Sequence, residues 1–287
     1  MGKIMQSITL KAKAKINWTL DIIGTNQDGY HVLDMLMQTI SLFDKVEIIK
    51  QDQFKLTTDK RYIPCDERNT AFKAAQYFFD EIGKEKECLI KISKKIPSGA
   101  GLGGGSADAA AVLNGLNQLY DYPLSFEKLN ELALKIGADV PFLLNGGFCR
   151  ARGIGEQMQS LLPQKYVLLL AMDFSAPVST KNSYKLYDEL QKEEHPDNDG
   201  FILALNKRDF DAMRTCGGNS LIVPSSQLAP RVPELIQKMY DSGASFASMT
   251  GSGSTVFGVF KSVDEALSAK ENFFGVWCKA VYTDGEE

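Results

Sequence analysis

The sequence predicts a mixed fold of strands and helices in two domains, divided near residue 160. Three observations lead there. Residues 8–17 alternate apolar and polar, as a strand with one buried face does. Leu89–Ser93, a glycine-rich stretch at Pro97–Ser106 and the alanine-rich run from Ala107 give the order strand, loop, helix. From Lys165 the character changes, with a solidly apolar strand at Tyr166–Met172 followed by helices mixed with a small sheet. A chain of 287 residues suits two compact units or one large domain, and buries a core without staples.

Taken in order, Ile8, Leu10, Ala12, Ala14 and Ile16 face one way on the first strand, and Thr9, Lys11, Lys13, Lys15 and Asn17 the other. Lys11 and Lys13 read as a solvated face, whereas Lys15 and Asn17 sit at the end where a strand leads into a site. Asp28-Gly29-Tyr30-His31 is a turn, and Lys45–Lys50 a strand. Asn69 caps a helix to about Ile82, with Phe72, Ala75, Phe79 and Ile82 on one face and Gly83 ending it. A helix from about Ala107 to Tyr120 carries Ala110, Leu113, Asn117 and Tyr120 in a stripe. Ser125 caps the next, which stops at Gly137. Ala151–Glu156 turns a hairpin, and Ala176–Thr180 leads into a helix bearing Tyr184 and Tyr187. Residues 191–200 form a charged loop in which His195 is expected in solvent. Pro233 opens a helix ending near Gly243, and Ala247–Phe257 is strand, glycine turn, strand. Ser262 and Glu265 make a capping box for a helix to about Phe273; Val276–Tyr282 is the last strand.

The net charge of −4 favours neither nucleic acid nor an anionic membrane as partner, so any phosphate site must be local. Cys65, Cys88, Cys149, Cys216 and Cys278 are odd in number, widely spaced and without a CxxC pair. That argues for a reducing compartment and against a zinc site or a disulfide framework. Met1–Ser7 lacks the apolar core of a signal peptide, and no run approaches the ~20 apolar residues that span a bilayer. The expectation is a soluble, cytoplasmic protein.

Five glycines fall within the seven positions Gly99–Gly105. Glycine admits positive φ and removes the Cβ atoms that keep a ligand away, while the first turn of a helix offers unpaired N–H groups to an anion. A bound phosphate is the natural reading. The loop is not a Walker A motif, because no Lys-Ser or Lys-Thr follows its last glycine, nor a clean dinucleotide fingerprint. Asp139, in Gly137-Ala138-Asp139-Val140-Pro141-Phe142, can cap the next helical turn and can also serve as partner to a hydroxyl about to attack phosphorus, roles that do not exclude one another. Tyr30 and His31 belong either to a turn packed on the core or to a binding site.

Together these stretches resemble the GHMP kinase family. Pro97–Ala107 is similar to its ATP loop and Thr250-Gly251-Ser252-Gly253-Ser254 to its late glycine motif. Ala14-Lys15-Ile16-Asn17, Asp28–His31 and Gly137–Phe142 narrow the resemblance to the member acting on a cytidine-diphospho sugar alcohol, and Ala151–Glu156 agrees with it. Trp18 stands where a leucine is common, Asn26-Gln27 where Arg-Pro is usual, and Val32 where an acid is usual. The resemblance implies a two-lobed α+β fold: a ribosomal protein S5 domain 2-like N-terminal lobe (1–160) with a left-handed βαβ crossover, and a ferredoxin-like C-terminal lobe (161–287). It also implies transfer of the γ-phosphoryl of ATP, with Mg²⁺, to the tertiary 2-hydroxyl of cytidine-diphospho-methylerythritol. Asp139 would take or orient the hydroxyl proton, and Lys15 would hold Asp139 ionised and steady the moving charge. Pro97, Ser98, Gly99, Ala100, Gly101, Leu102, Gly103, Gly104, Gly105, Ser106 and Ala107 would wrap ATP, with Ser106 near Mg²⁺. Asn17 would hold the sugar-alcohol chain, Tyr30 and Tyr184 would sandwich the cytosine, His31 would bond its edge, and Gly251, Ser252 and Gly253 would border the diphosphate. A monomer or weak homodimer is expected. The alternatives are a homoserine- or mevalonate-type kinase, or a non-catalytic nucleotide-binding regulator on the same scaffold.

Overall fold

The structure is a computed structural model that describes residues 6–190 and 195–285. The expectation for the extreme N-terminus (Met1–Met5) and part of that for the charged loop (191–194) lie outside the described residues. The chain forms two compact units. One takes the chain up to Ala14, Leu42–Ser98 and Gly103–Gly146; the other takes Lys15–Ser41, Gly99–Leu102 and the chain from Gly147 on.

Two long strands, β1 (Ser7–Thr25) and β2 (His31–Lys50), pair with one another and contribute to both units. In the first unit follow β3 (Lys55–Thr58), α1 (Thr70–Ile82), β4 (Cys88–Ser93), α2 (Gly104–Leu119), α3 (Phe126–Ile136) and α4 (Val140–Asn145). Lys45–Lys50 of β2 pairs antiparallel with β4, and β3 pairs parallel with β4. Alternation on β1 holds up to Ala14; beyond it both faces are buried through Ile22. Asn69 Oδ1 caps α1 by accepting from Ala71 N, and Gly83 closes it in the left-handed conformation. The buried stripe of α1 is Ala71, Ala74, Ala75, Phe78 and Phe79, rotated from the expected one: Phe72 and Ile82 are only half-buried. Helix α2 is buried on nearly all sides rather than along one stripe. It lies so close to the sheet that a Cβ on Gly115 would come 2.6 Å from Leu10 Cδ1 and 2.7 Å from Ile48 Cδ1.

The second unit adds β5 (Phe148–Gly153), β6 (Gln157–Leu161), β7 (Val167–Met172), α5 (Thr180–Leu190), α6 (Asn198–Lys207), α7 (Phe210–Cys216), α8 (Ile222–Leu228), α9 (Arg231–Asp241), β8 (Phe246–Met249), β9 (Val256–Phe260), α10 (Val263–Lys270) and β10 (Trp277–Tyr282). Strand β5 pairs antiparallel with Leu33–Gln38 of β2 and turns into β6 as the expected hairpin. A separate four-stranded antiparallel sheet has the order β10-β7-β9-β8. Trp18 is fully buried in this unit, its ring edge-on to Tyr166 and Phe257 and tilted against Phe201. Asp197 caps α6, so residues 198–200 of the expected charged loop are helical. Helix α10 stops at Lys270, short of Phe273.

Candidate active site

The helix after the glycine loop starts at Gly104, not Ala107, so the last two loop glycines and Ser106 form its first turn. Its N-cap is Gly103, with φ of +69° and no side-chain cap. With no side chain at the cap, the N–H groups of that turn are left for an anion. Within the loop, Ala100, Leu102 and Ala107 are buried anchors, whereas Ser98, Gly99 and Gly105 are exposed.

In the second unit the middle of the loop meets residues far away in sequence. Lys15 N donates to Leu102 O at 3.1 Å. Thr250 Oγ1 donates to Gly101 O at 3.2 Å and accepts from Asn17 N at 2.9 Å. Gly101 has a φ of +74°, and a Cβ there would sit 2.2 Å from Thr250 O, so only glycine fits. A Cβ on Gly251 would lie 3.1 Å from Gly101 O and 3.4 Å from Lys15 Nζ. Lys15 is 3% exposed, and its ammonium donates to Asn17 Oδ1 at 2.6 Å. Thus Lys15, Asn17, the loop centre and the late glycine turn converge, although β1 alone shows no reason for burying a lysine. Asn219, to which the sequence reading gave no role, ties the turn down by donating to Met249 O at 2.8 Å and Gly251 O at 2.9 Å. Ser252 Oγ lies 2.9 Å from Thr180 Oγ1.

Also in this unit, Asn26 Oδ1 accepts from Asp28 N and Tyr30 N, forming the expected turn. Tyr30 is largely exposed. The His31 ring stacks beside Tyr184, centroids 4.8 Å apart and planes at 32°, and stands edge-on to Tyr187. His31 Nε2 lies 2.7 Å from Asp188 Oδ1, a partner the sequence did not single out. His195 is not simply a solvated loop residue: its Nδ1 lies 2.7 Å from Oδ1 of the buried Asp21.

In the first unit Asp139 is half-buried at the N-cap position of α4, with Pro141 in the first turn. Its side chain makes no capping hydrogen bond, so capping is not what the carboxylate does there. Around the loop's two ends lies a buried ion cluster. Lys94 Nζ donates at 2.5 Å to Oδ2 of both Asp44 and Asp108. Burial works against the Lys94 ammonium, but the two carboxylates outweigh it and hold its pKa above the usual value. Burial pushes the Asp108 carboxyl up; the Lys94 charge opposes this and Asp44 adds to it. One signal pointed to Asp108: it is the only charged residue between Pro97 and Tyr120.

Among the described residues, no cluster of three or more His, Cys, Asp or Glu side chains could hold a metal ion. The Ser106 hydroxyl in the first turn of α2 is a hard oxygen donor. Such a sparse set fits Mg²⁺, which takes few protein ligands and completes its shell from phosphates and water.

Residues 69–147 match the GHMP kinases N terminal domain and residues 201–276 the GHMP kinases C terminal domain. The chain is 38% identical over 270 residues to the 4-diphosphocytidyl-2-C-methyl-D-erythritol kinase of Alkaliphilus metalliredigens, covering 93% of each. It is 41% identical over 273 residues to the enzyme of that name from Syntrophomonas wolfei, covering 93% of this chain and 94% of the relative. A crystal structure of 4-(cytidine 5'-diphospho)-2C-methyl-D-erythritol kinase is similar, with a TM-score of 0.82 and 30% identity, over 97% of this chain and 100% of that one. Homoserine kinase from Cytophaga hutchinsonii shares the fold, with a TM-score of 0.77 and 21% identity over 99% and 96% of the two chains. Matches in both halves, and relatives aligned along almost its whole length, make this chain a member of the GHMP kinase family.

Proposed function

We propose that the chain phosphorylates the 2-hydroxyl of 4-diphosphocytidyl-2-C-methyl-D-erythritol at the expense of ATP, a step in non-mevalonate isoprenoid precursor synthesis. The 2-hydroxyl oxygen bonds to the γ-phosphorus, the bond from that phosphorus to the β-γ bridging oxygen breaks, and ADP leaves. Asp139 takes or orients the hydroxyl proton, and Lys15 stabilises the charge on the phosphoryl in flight. Positioning and charge stabilisation of this kind carry most of the catalysis in phosphoryl transfer. The glycine loop and the first turn of α2 hold the ATP phosphates, and Gly251–Gly253 border the diphosphate of the acceptor. Ser106 would hold Mg²⁺, which supplies neutralisation of phosphate charge when bound. Asn17 holds the sugar-alcohol chain. Tyr30, His31 and Tyr184 receive the cytosine.

The observation that carries this reading is the convergence of Lys15, Gly101 and Gly251, with Lys15 Nζ 3.4 Å from a Gly251 Cβ position. A buried ammonium among backbone carbonyls and glycines suits a polyanionic ligand. The boundary between the N- and C-terminal family domains lies in the sequence near residue 160, between the two family matches, and the enzyme works in the cytoplasm as a monomer or weak homodimer. Among the described residues no helix is long and apolar enough to cross a membrane, and all five cysteines are free.

The experiment is a coupled ADP-release assay with the cytidine-diphospho substrate, homoserine and mevalonate as separate acceptors. Turnover only with the first is expected; preference for either of the others overturns the substrate. Asp139→Asn should lower kcat by about 10²–10⁴ and leave the Kd for ATP within twofold. An unchanged kcat removes Asp139 from proton transfer.

A further inference from the structure

We infer that Lys94 is a positioning residue that clamps both ends of the glycine loop and so sets the enzyme's affinity for nucleotide. The inference rests on the reading that this loop holds the ATP phosphates. The loop begins where β4 ends, and Asp44 on β2 grips that start at three consecutive residues. Its Oδ2 accepts from Lys94 Nζ, and its Oδ1 accepts from Lys95 N at 2.5 Å and Ile96 N at 2.9 Å. The loop ends in α2, where Asp108 Oδ2 accepts from the same Lys94 ammonium. One buried cation thus joins the residues before Pro97 to the second turn of the helix after Gly103.

Packing ties the two ends further. A Cβ on Gly104 would lie 2.9 Å from Ile96 Cγ2 and 3.6 Å from Lys94 Nζ, so the start of the helix rests directly on the start of the loop. Thr70 Oγ1 donates to Gly105 O at 2.6 Å on the exposed side. The charges are unequal: two carboxylates share one ammonium, and Asp108 Oδ1 is buried with no hydrogen-bond partner among the described residues. Simple stabilisation of the core would be served as well by apolar side chains of similar size. What this cluster adds is direction, because each bond fixes a residue flanking the loop. With both ends held, the backbone between them is ordered before the nucleotide arrives, and binding need not meet that entropy cost.

The test compares Lys94→Met, Asp108→Asn and Gly101→Ala in the full chain, with ADP and ATP binding by calorimetry, steady-state kinetics, and amide exchange over residues 98–106. Lys94→Met is expected to raise the nucleotide Kd about tenfold and to raise KM for ATP in parallel. kcat at saturating ATP should fall less than threefold, the acceptor's KM should stay within twofold, and loop amides should exchange faster while those of α3 do not. Asp108→Asn, which keeps an acceptor oxygen for Lys94, should show a smaller shift in the same direction, and it carries the test where Lys94→Met does not fold. A Kd within twofold of the parent in the folded variant, while Gly101→Ala weakens nucleotide binding, overturns the clamp but leaves the loop as the ATP site. Should Gly101→Ala also leave nucleotide binding unchanged, the loop is not the ATP site and both readings fall. Equal losses in kcat and in both KM values would mark the cluster as general scaffolding and overturn the inference.

Discussion

Replacing Trp18 by leucine should cost stability without touching substrate affinity. The indole is fully buried, packs against three aromatic rings, and donates from Nε1 to Gln38 Oε1 at 2.7 Å. Truncating a core tryptophan to alanine costs about 3–5 kcal/mol, and leucine refills roughly half the space, leaving about 2 kcal/mol. The Gln38 amide oxygen then loses its donor at a site 1% exposed, which adds about 1–3 kcal/mol. A total of about 3–5 kcal/mol corresponds to a fall in melting temperature of roughly 10 °C for a chain of this size. Strand alternation turns the indole to the face opposite Lys15 and Asn17. The KM values for ATP and acceptor should therefore stay within twofold. Urea unfolding followed by circular dichroism, with initial-rate kinetics on the same preparations, measures both. A loss under about 1 kcal/mol would refute the packing account, and a tenfold rise in either KM would refute the separation of Trp18 from the site.

Three further outcomes are expected. Gly101→Ala forces a Cβ into the Thr250 carbonyl, 2.2 Å away, at a φ that itself costs about 1–2 kcal/mol; KM for ATP should rise at least tenfold, and an unchanged value would remove the loop from the ATP site. Arg150 grips Asp34 with two bonds at 2.8 and 2.6 Å. Burial pushes the Asp34 carboxyl up, but the Arg150 bonds and charge pull harder and hold it below its usual value. The stability this pair contributes is present above the unfolded carboxylate pKa, about 4, and is lost as pH falls through the lower folded value. Arg150→Met should therefore cost about 3 kcal/mol at pH 7, and the gap to the parent in urea midpoint should narrow towards pH 3 and below; a constant gap would remove Asp34 as its source. Asp188→Asn removes the carboxylate that orients the His31 ring, and should raise KM for the cytidine substrate by about three- to tenfold with KM for ATP unchanged. Equal shifts in both would take Asp188 out of base recognition.

Much of the local structure was legible because its causes are local. Asn69 and Ser125 supply cap oxygens to N–H groups two or three residues on, Gly83 supplies the left-handed closure of α1, and the alternation of residues 8–14 needs only a pleat. The sequence marks strand β2 only in its last six residues, because over Met35–Ile40 it is buried on both faces and no alternation shows. Helices α6, α7 and α8 leave no clear mark in the sequence, since they are short and their faces are settled by neighbours rather than by a long period. The sequence predicts the start of α2 three residues late, because a run of glycines looks like loop until packing against Ile96 and Thr70 fixes it as helix.

The sequence by itself determined which chemistry is available: a lysine at a strand end, an acid before Val140-Pro141, two glycine turns and an aromatic beside an imidazole. Only the tertiary structure decided what those groups meet. Residues 15, 101 and 251 converge, Asp188 comes to His31, Asp21 to His195, and a single ammonium joins Asp44 to Asp108. The physical reason is range. Propensity, capping and periodicity act over a few residues, whereas partners as distant as residues 15 and 251 are chosen by how strands pair and helices pack, and burial makes the pairings of Lys15 and Lys94 obligatory.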